Sequence, residues 1–511
     1  MKTVDAGAGN SELVILSAAD DSALCGEIDR LLAFANRIPD ARLVDIAYTC
    51  SLKTGPSALA VVAGSVAELR ARLATARTRI ASPSVARIRD KSGTYYARTH
   101  LTGPGKGKLA FVYPGAISFY PDMLRDLAIR HSVCRSAFDE LEEALAGIVD
   151  FSPSNFIFPP ASYYRHDADI FSSGAYSQAF VATHAACAAL TRLLAEVGVE
   201  PDGVLGVGGG DFAALMKAGT TRLDRNRPAR IKALHEIYRL VSKAVDHGGL
   251  PKTAMEMVIL RHAGDADAIV SRFSPADVTL AIDFSPRMKI FSVRPACAEA
   301  VSALFSSTGA RVLRLELDRP FNTPACAGLA SSVKGFTETL VRSGAKCEIY
   351  SCATAGRLPD NLKILRQEAA ERWSKPILLS ETVRRMYADG YRVFLEVGPR
   401  GLLTTGIAST LEGEPHAALA LNSIHRTGIQ QVNHTLGQLA ALGARVDISK
   451  LLAERGGRAL DFDAALSMEV RHESEMRLSR VFPRLMLSEA APTLASFMAE
   501  PKGRGAKAAA R

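Results

Sequence analysis

The stretch VLGVGGGDFAALMKAG, residues 204–219, constrains the fold more than any other part of this chain. A short apolar run, three consecutive glycines and an amphipathic run predict a strand, a tight turn and a helix in direct succession. Apolar runs that end in Pro-Gly or Gly-Pro turns recur at 109–115 and 391–399. Strands that alternate with helices indicate a doubly wound parallel sheet, so the sequence predicts an α/β fold.

The rhythm of apolar runs divides the chain into four parts. Residues 1–105 alternate strand-like and helical runs, which indicates a small α/β module. Residues 251–318 follow the order strand, helix, strand, strand, helix, strand, which is typical of a ferredoxin-like split β-α-β insert. The larger sheet then occupies 106–250 and 319–455. Residues 456–511 form a C-terminal extension, whose basic tail PKGRGAKAAAR we expect to be disordered.

Charge and cysteine usage exclude several classes of function. The net charge is +9, but much of the excess lies in the tail, and no aromatic residues interleave with a basic stripe, which disfavours nucleic-acid binding. The eight cysteines form no Cys-x-x-Cys pair, so we expect no metal site. Apolar runs are too short for a membrane span or a signal peptide. We therefore expect a cytoplasmic protein with reduced thiols and no bound cofactor.

The turn GVGGG at 206–210 has three readings. It resembles the pattern G-x-S-x-G, in which a nucleophilic serine sits on a strained turn between a strand and a helix, but Gly208 occupies the serine position. A phosphate cradle is disfavoured because no Lys-Ser/Thr pair follows and Asp211 stands at the anion-binding end of the helix. Asp211 is expected to cap that helix. In the third reading, the turn is only a tight connection from strand to helix in a scaffold without a catalytic or binding site.

Several motifs occur in a fixed order between residues 108 and 425. They are LAFVYPG (109–115), PDGVLGVGGGDFAALMKAG (201–219), RPFNTP (319–324), EIYSCATAG (348–356), RWSKPI (372–377) and FLEVGPRGLLT (394–404). In this order they resemble the acyltransferase domains of type I polyketide, polyunsaturated-fatty-acid and enediyne synthases, which are similar to malonyl-CoA:acyl carrier protein transacylase. Residues 1–105 resemble the linker that joins a ketosynthase to its acyltransferase in those synthases.

The resemblance implies a fold and a chemistry. The fold has a large α/β-hydrolase-like parallel-sheet subdomain, a small ferredoxin-like insert, and a cleft between the two. In the family a serine, activated by a histidine, takes an acyl group from coenzyme A and passes it to the phosphopantetheine thiol of a carrier protein. The resemblance therefore implies acyl-CoA or phosphopantetheine as a ligand, and an acyl carrier protein or a ketosynthase as a partner.

The reactive positions of the family carry other residue types here. Motif by motif, the serine falls on Gly208, the catalytic histidine on Asn322, and the glutamine of the oxyanion region on Ala116. Glycine has no nucleophilic side chain, and an asparagine amide does not act as a general base near neutral pH. The histidine beside the nucleophile falls on Val207. We therefore expect no catalytic residue at the usual positions.

Some candidate residues remain for ligand binding. The arginine that grips an extender carboxylate falls near Ile237, and Arg239 is its nearest substitute, although an offset of two residues on a helix points elsewhere. The group that orients the histidine falls near Arg372. The ligand-binding candidates are Gly115, Ala116, Val207, Gly208, Gly209, Asn322 and Arg239.

Three functions are compatible with this sequence. The leading hypothesis is a catalytically impaired acyltransferase-fold protein that serves as a structural or partner-binding component of a synthase. The second is an active acyl or malonyl transferase that uses rearranged residues, for which Cys326 is the nearest nucleophile, although a lone cysteine is more often a core residue. The third is a module that binds acyl-CoA without transferring the acyl group. His184 is expected to be a core histidine, and Trp373 is expected to pack against the sheet.

Overall fold

The computed structural model describes residues 11–149, 152–160, 176–221, 227–246 and 250–467. The chain forms two compact units, Met1–Leu460 and Asp461–Arg511. The three sheets formed by the described residues belong to the first unit. In the second unit the described helix is α18, Phe462–Ser467. The predicted disordered tail lies outside the described residues.

The N-terminal part is a four-stranded antiparallel sheet with helices packed on it. Its strand order is β1-β2-β4-β3. The strands are β1 (Glu12–Ala18), β2 (Ser57–Ala63), β3 (Arg87–Arg89) and β4 (Thr94–Ala97), and the helices are α1 (Asp21–Arg37), α2 (Leu43–Ser51) and α3 (Val66–Ala81). The side chain of Asp20 caps α1 and that of Ser65 caps α3, as expected for these residue types at a helix start.

The central sheet has six strands in the order β12-β11-β6-β5-β14-β15. The strands are β5 (Lys108–Tyr113), β6 (Gly203–Gly206), β11 (Glu348–Ser351), β12 (Gly356–Leu358), β14 (Tyr391–Glu396) and β15 (Ala417–Ala420). All neighbouring pairs are parallel except β11 with β12, which is antiparallel. The predicted parallel sheet is therefore confirmed, with one antiparallel strand at its edge.

Helices cover the central sheet because its strands are apolar on both faces. They are α4 (Arg125–Arg130), α5 (Ser132–Leu145), α6 (Pro153–Ile157), α7 (Tyr176–Glu196), α8 (Gly210–Lys217), α9 (Arg227–Val241), α12 (Ala327–Leu340), α13 (Leu362–Glu371), α14 (Leu379–Ala388), α15 (Leu403–Thr410), α16 (Gly428–Ala441) and α17 (Ser449–Glu454). Alternation along β5 places Ala110 and Val112 in a cluster with residues of α14 and α15. The hydroxyl of Tyr113 lies 3.1 Å from Thr191 Oγ1 of α7.

The small subdomain is a ferredoxin-like sheet, as predicted. Its strands are β7 (Ala254–Ile259), β8 (Val278–Ser285), β9 (Met288–Val293), β10 (Arg311–Leu315) and β13 (Ile377–Leu378), and its helices are α10 (Asp265–Val270) and α11 (Ala298–Ser307). The order is β10-β7-β9-β8-β13. The last strand, β13, pairs parallel with β8 and comes from a distant part of the sequence. This strand is too short to leave a periodic signal, and the sequence did not predict it.

Helix α16 joins the N-terminal sheet to the central one. It contacts β2, β4 and β15. The hydroxyl of Tyr95 on β4 lies 2.6 Å from Nδ1 of His434 on α16, and both side chains are buried. Burial lowers the pKa of His434 to about 4, so the ring is neutral and able to share this hydrogen bond.

The carboxyl end of β14 carries a fully buried acid, Glu396. Its Oε2 accepts a hydrogen bond from the backbone N–H of Thr404 in the first turn of α15, at 2.9 Å. Burial raises the pKa of Glu396 to about 7, and the backbone N–H groups of α15 oppose that rise. Glu396 thus organises the strand-to-helix connection, and its charge is costly to keep buried.

This burial predicts a pH-dependent stability. Since the pKa of Glu396 rises from 4.5 unfolded to about 7 folded, its contribution to stability is greatest below pH 4.5 and is lost as the pH rises through 7. The loss amounts to about 3 kcal/mol, at about 1.4 kcal/mol per unit of pKa. The free energy of unfolding, measured with urea, should therefore fall less between pH 4.5 and pH 8 for Glu396→Gln than for the unmodified protein.

The matched control is Glu381→Gln, which neutralises an exposed carboxylate on α14. It should follow the unmodified protein at both pH values. An equal pH-dependent decrease in the Glu396→Gln and Glu381→Gln variants would contradict the role given to the buried acid.

Candidate functional site

Two backbone turns meet at the carboxyl edge of the central sheet, where ligands bind in open α/β folds. One follows β5 and the other follows β6. A Cβ atom at Gly115 would lie 3.0 Å from the carbonyl oxygen of Val207 and 3.1 Å from the nitrogen of Gly209. The turns therefore touch, and they form the floor of a cleft whose opposite wall is the small sheet.

Six of the seven candidates from the sequence line this cleft. They are Gly115, Ala116, Val207, Gly208, Gly209 and Asn322. The seventh, Arg239, is absent from the lining; its guanidinium is exposed and pairs with Glu236 at 2.7 Å. Ile237, two positions earlier on α9, is buried. Side chains two positions apart on a helix point in different directions, so Arg239 is not a substitute for a residue at position 237.

Gly208 differs from its neighbouring glycines in having room for a side chain. A Cβ at Gly206 would collide with the backbone of Asp211, and one at Gly210 would collide with the carbonyl oxygen of Tyr113. A Cβ at Gly208 would meet only the Cδ1 atom of Ile377, at an ordinary 3.5 Å. Gly208 has φ +58°, in the left-handed region where glycine pays no steric penalty. Backbone conformation, rather than lack of space, favours glycine there.

Asn322 lies across the cleft on the loop that precedes the Pro324–Cys326 turn. It also has a left-handed backbone, with φ +56°, which asparagine tolerates better than most residues. Its amide nitrogen donates a hydrogen bond to the carbonyl oxygen of Arg372 at 3.3 Å. Among the described residues that line the cleft there is no histidine. The described part of the cleft therefore offers no imidazole base.

The polar centre of the cleft is an ion pair that the sequence did not predict. Asp211 was expected to cap α8, but the N-cap is Gly209, which makes no side-chain cap hydrogen bond. Asp211 lies one residue inside the helix, and its Oδ2 is 3.5 Å from Arg372 Nε. Both side chains are largely buried. Burial raises the pKa of Asp211 to about 6, while the charge of Arg372 opposes the rise.

Neither of the nearby alternatives offers a ready nucleophile or base. Cys326 lines the cleft, but its thiol donates to the carbonyl oxygen of Pro320 at 3.0 Å, and burial raises its pKa. His184 is buried on α7 with its ring 4.7 Å from that of Phe212, and burial lowers its pKa to about 4. The histidine thus packs in the core, as expected.

Trp373 has a different place from the one expected. It packs with its ring 5.9 Å from that of Phe180, but it also lines the cleft. Its indole nitrogen is buried and has no hydrogen-bond partner among the described residues. Sequence patterns gave no sign of this because the tryptophan lies in a short 3₁₀ turn, Arg372–Ser374, between two longer elements.

Metal and membrane sites were also sought in the described part of the chain. No group of three or more His, Cys, Asp or Glu side chains is arranged there to hold a metal ion. None of the described helices combines the length and the apolar character that crossing a bilayer requires.

Known proteins share this sequence pattern and fold. The model of the acyl transferase domain family matches residues 110–445. The spectinabilin polyketide synthase system protein NorA' of Streptomyces orinoci is 28% identical over 356 residues, which are 69% of this chain and 9% of that protein. The 5-methyl-1-naphthoate synthase of Streptomyces sahachiroi is 26% identical over 453 residues, covering 86% of this chain and 23% of that protein. This chain therefore spans less than a quarter of either relative.

Solved structures agree on the fold. The acyltransferase domain from module 8 of the salinomycin polyketide synthase matches with a TM-score of 0.69 and 20% identity, covering 86% of this chain and 98% of that one. The acyltransferase domain of an iterative polyketide synthase in enediyne biosynthesis matches with a TM-score of 0.60 and 18% identity, covering 87% and 99%. The predicted acyltransferase fold is thereby confirmed.

The glycine turn generates a prediction about stability. Gly210→Ala places a methyl group against the carbonyl oxygen of Tyr113, so the backbone must shift. The free energy of unfolding should fall by about 2 kcal/mol or more. Gly208→Ala makes only an ordinary contact with the Cδ1 atom of Ile377, at 3.5 Å, so its free energy of unfolding should fall by only about 1 kcal/mol, the cost of the left-handed backbone. Urea unfolding of the two variants measures the difference. Equal losses would contradict the distinction between these two glycines.

Proposed function

Since this chain belongs to the acyl transferase domain family of polyketide synthase type, we propose that it is an acyltransferase-fold component of a polyketide or fatty-acid type synthase that does not itself transfer acyl groups. Its role in this proposal is structural: it binds an acyl carrier protein or a ketosynthase of the same synthase. The cleft remains as a place for acyl-CoA or the phosphopantetheine arm. A cytoplasmic location is part of the proposal.

The observation that supports this proposal is that the described residues provide no serine nucleophile and no histidine base where the two turns meet. Gly208 stands at the position where G-x-S-x-G would present a serine, and Asn322 stands where the family resemblance places the base. Loss of a nucleophile and its base together typically lowers kcat by about 10⁶-fold. What remains of such a site is binding, so a binding role is the function that the geometry supports best.

The proposed partners follow from the arrangement of the chain. In this proposal residues 1–105 form the linker-like module, 106–250 and 319–455 the large subdomain, 251–318 the small one, and 456–511 the extension. The buried Tyr95–His434 hydrogen bond joins the linker-like module to α16, which also contacts β15 of the central sheet. A ketosynthase that docks on the module would therefore also be fixed relative to the cleft.

The alternative function is acyl transfer by a different nucleophile, and Cys326 is its candidate because it lines the cleft near Asn322. A thiol must ionise to attack a thioester, and burial raises the pKa of Cys326. Its S–H is also engaged by the carbonyl oxygen of Pro320. These contacts disfavour a thiolate at this position and favour the structural role.

An intact-mass assay with malonyl-CoA and acetyl-CoA tests the proposal. The unmodified protein should gain no acyl mass, whereas the Gly208→Ser/Asn322→His variant should gain one acyl group on the introduced serine, because the Gly208 site has room for a side chain. Gly208→Ser alone is the control, and it should label far more slowly because it lacks the base. Acylation of the unmodified protein would contradict the proposal, and peptide mapping would identify the nucleophile.

Partner binding is tested separately, by calorimetric titration with the holo carrier protein and the ketosynthase of its own synthase. We expect a saturable interaction with at least one of them in the unmodified protein. If neither interacts, the structural role is wrong even if no acyl group is transferred.

A further inference from the structure

The wall of the cleft opposite the glycine turns is apolar. It is built by the small sheet and the segment that follows it, through Met255, Ile282, Phe284, Ile290, Leu315 and Leu317. Alternation along β9 separates the two faces of this sheet: Phe291 packs in the cluster that includes residues of α10 and α11, and Ile290 turns to the cleft side. The small sheet thus has one apolar face covered by its own helices and a second that lines the cleft.

The charges that the described residues bring to the cleft balance each other. Among the described residues of the lining, Arg372 is the only cation, and Asp211 is paired with it at 3.5 Å. A ligand carboxylate placed here would compete with Asp211 for a single guanidinium in a largely buried setting. Burying a carboxylate without a partner is strongly unfavourable. The cleft is therefore poorly suited to a carboxylated acyl group such as malonyl.

Two unpartnered polar groups also line the cleft. The hydroxyl of Ser118 is fully buried and has no hydrogen-bond partner among the described residues. The indole nitrogen of Trp373 is likewise buried and unpartnered, and both residues line the cleft. Buried polar groups are usually satisfied, so each is available for a ligand atom. Their chemistry suits a thioester carbonyl or an amide of a pantetheine arm.

We propose that the cleft binds an uncharged, extended acyl chain carried as a thioester on a phosphopantetheine arm, with the chain against the small sheet and the polar arm towards Ser118 and Trp373. The inference rests on the proposed function, because it takes the cleft to be a binding site rather than a transfer site. The phosphopantetheine arm is common to coenzyme A and to a holo carrier protein, and either source satisfies this chemistry.

The protein contains its own probe for this proposal. Trp373 is the only tryptophan of the chain and lines the cleft, so its fluorescence reports occupancy directly. Titration of the full chain with octanoyl-CoA should change the emission with an affinity at least tenfold higher than that for malonyl-CoA or free coenzyme A. Affinity should rise along the series butyryl-CoA, octanoyl-CoA and lauroyl-CoA. An affinity that is independent of chain length, or highest for malonyl-CoA, would overturn the proposal.

A matched pair of variants tests where the acyl chain of the ligand binds. Leu315→Glu introduces a carboxylate into the cleft lining and should lower octanoyl-CoA affinity at least tenfold. Leu313→Glu makes the same change two residues earlier on β10, where Leu313 is 45% exposed and outside the lining, and it should leave affinity unchanged. Far-ultraviolet circular dichroism checks that both variants are folded. If Leu315→Glu does not fold, the chain-length series on the unmodified protein still decides. Equal affinity in two folded variants would overturn the placement of the chain.

Two further measurements separate this inference from the proposed function. A covalent octanoyl adduct in the intact-mass assay would contradict the non-transferring role while supporting the acyl-chain class. No fluorescence response and no adduct would overturn the binding inference alone. Octanoyl-pantetheine, which lacks the nucleotide, identifies the source: full affinity supports a carrier-protein arm, and affinity that requires the nucleotide supports coenzyme A.

Discussion

The close approach of two backbone turns is the constraint on which the rest of this structure depends. The turn after β5 and the turn after β6 are in contact, with Gly210 directly under the carbonyl oxygen of Tyr113. A side chain at Gly210 would push the first turn of α8 away from the sheet. Because the turn stays tight, Asp211 near the start of α8 lines the cleft and pairs there with Arg372. The position of the ion pair is thus set by backbone packing.

The small sheet, which forms the opposite wall of the cleft, includes one strand of only two residues. Strand β13, Ile377–Leu378, adds to the small sheet beside β8 although it comes from the chain that follows α13. Ile377 lines the cleft and belongs to the core cluster of the central sheet. Phe284 of β8 packs closely against Gly406 of α15 on the same side. The small sheet is therefore attached to the rest of the fold by more than the two places where the chain enters and leaves it. The two walls of the cleft share one hydrophobic core.

The sequence predicted the features that local periodicity encodes. The strand, glycine turn and helix around 204–219 and the β-α-β-β-α-β order of 251–318 are both present, because each is specified by apolar spacing and turn residues that lie close together in the chain. Six of the seven candidate residues line one cleft: five of them follow the carboxyl ends of β5 and β6, and Asn322 lies on the loop before the Pro324–Cys326 turn.

The remaining features depend on contacts between residues far apart in the sequence. Asp211 looks like a cap when only its own helix is considered, but its partner, Arg372, lies 161 positions later. The exposed pair of Arg239 with Glu236 likewise follows from which face of α9 packs inward, and that face is fixed by tertiary contacts. A left-handed backbone at Gly208 also has an energetic consequence. Turns that present a reactive side chain hold a strained residue, whereas glycine relaxes that strain by about 1 kcal/mol. At this turn a reactive side chain would therefore lower the thermodynamic stability, and glycine makes the turn more stable without a reactive group.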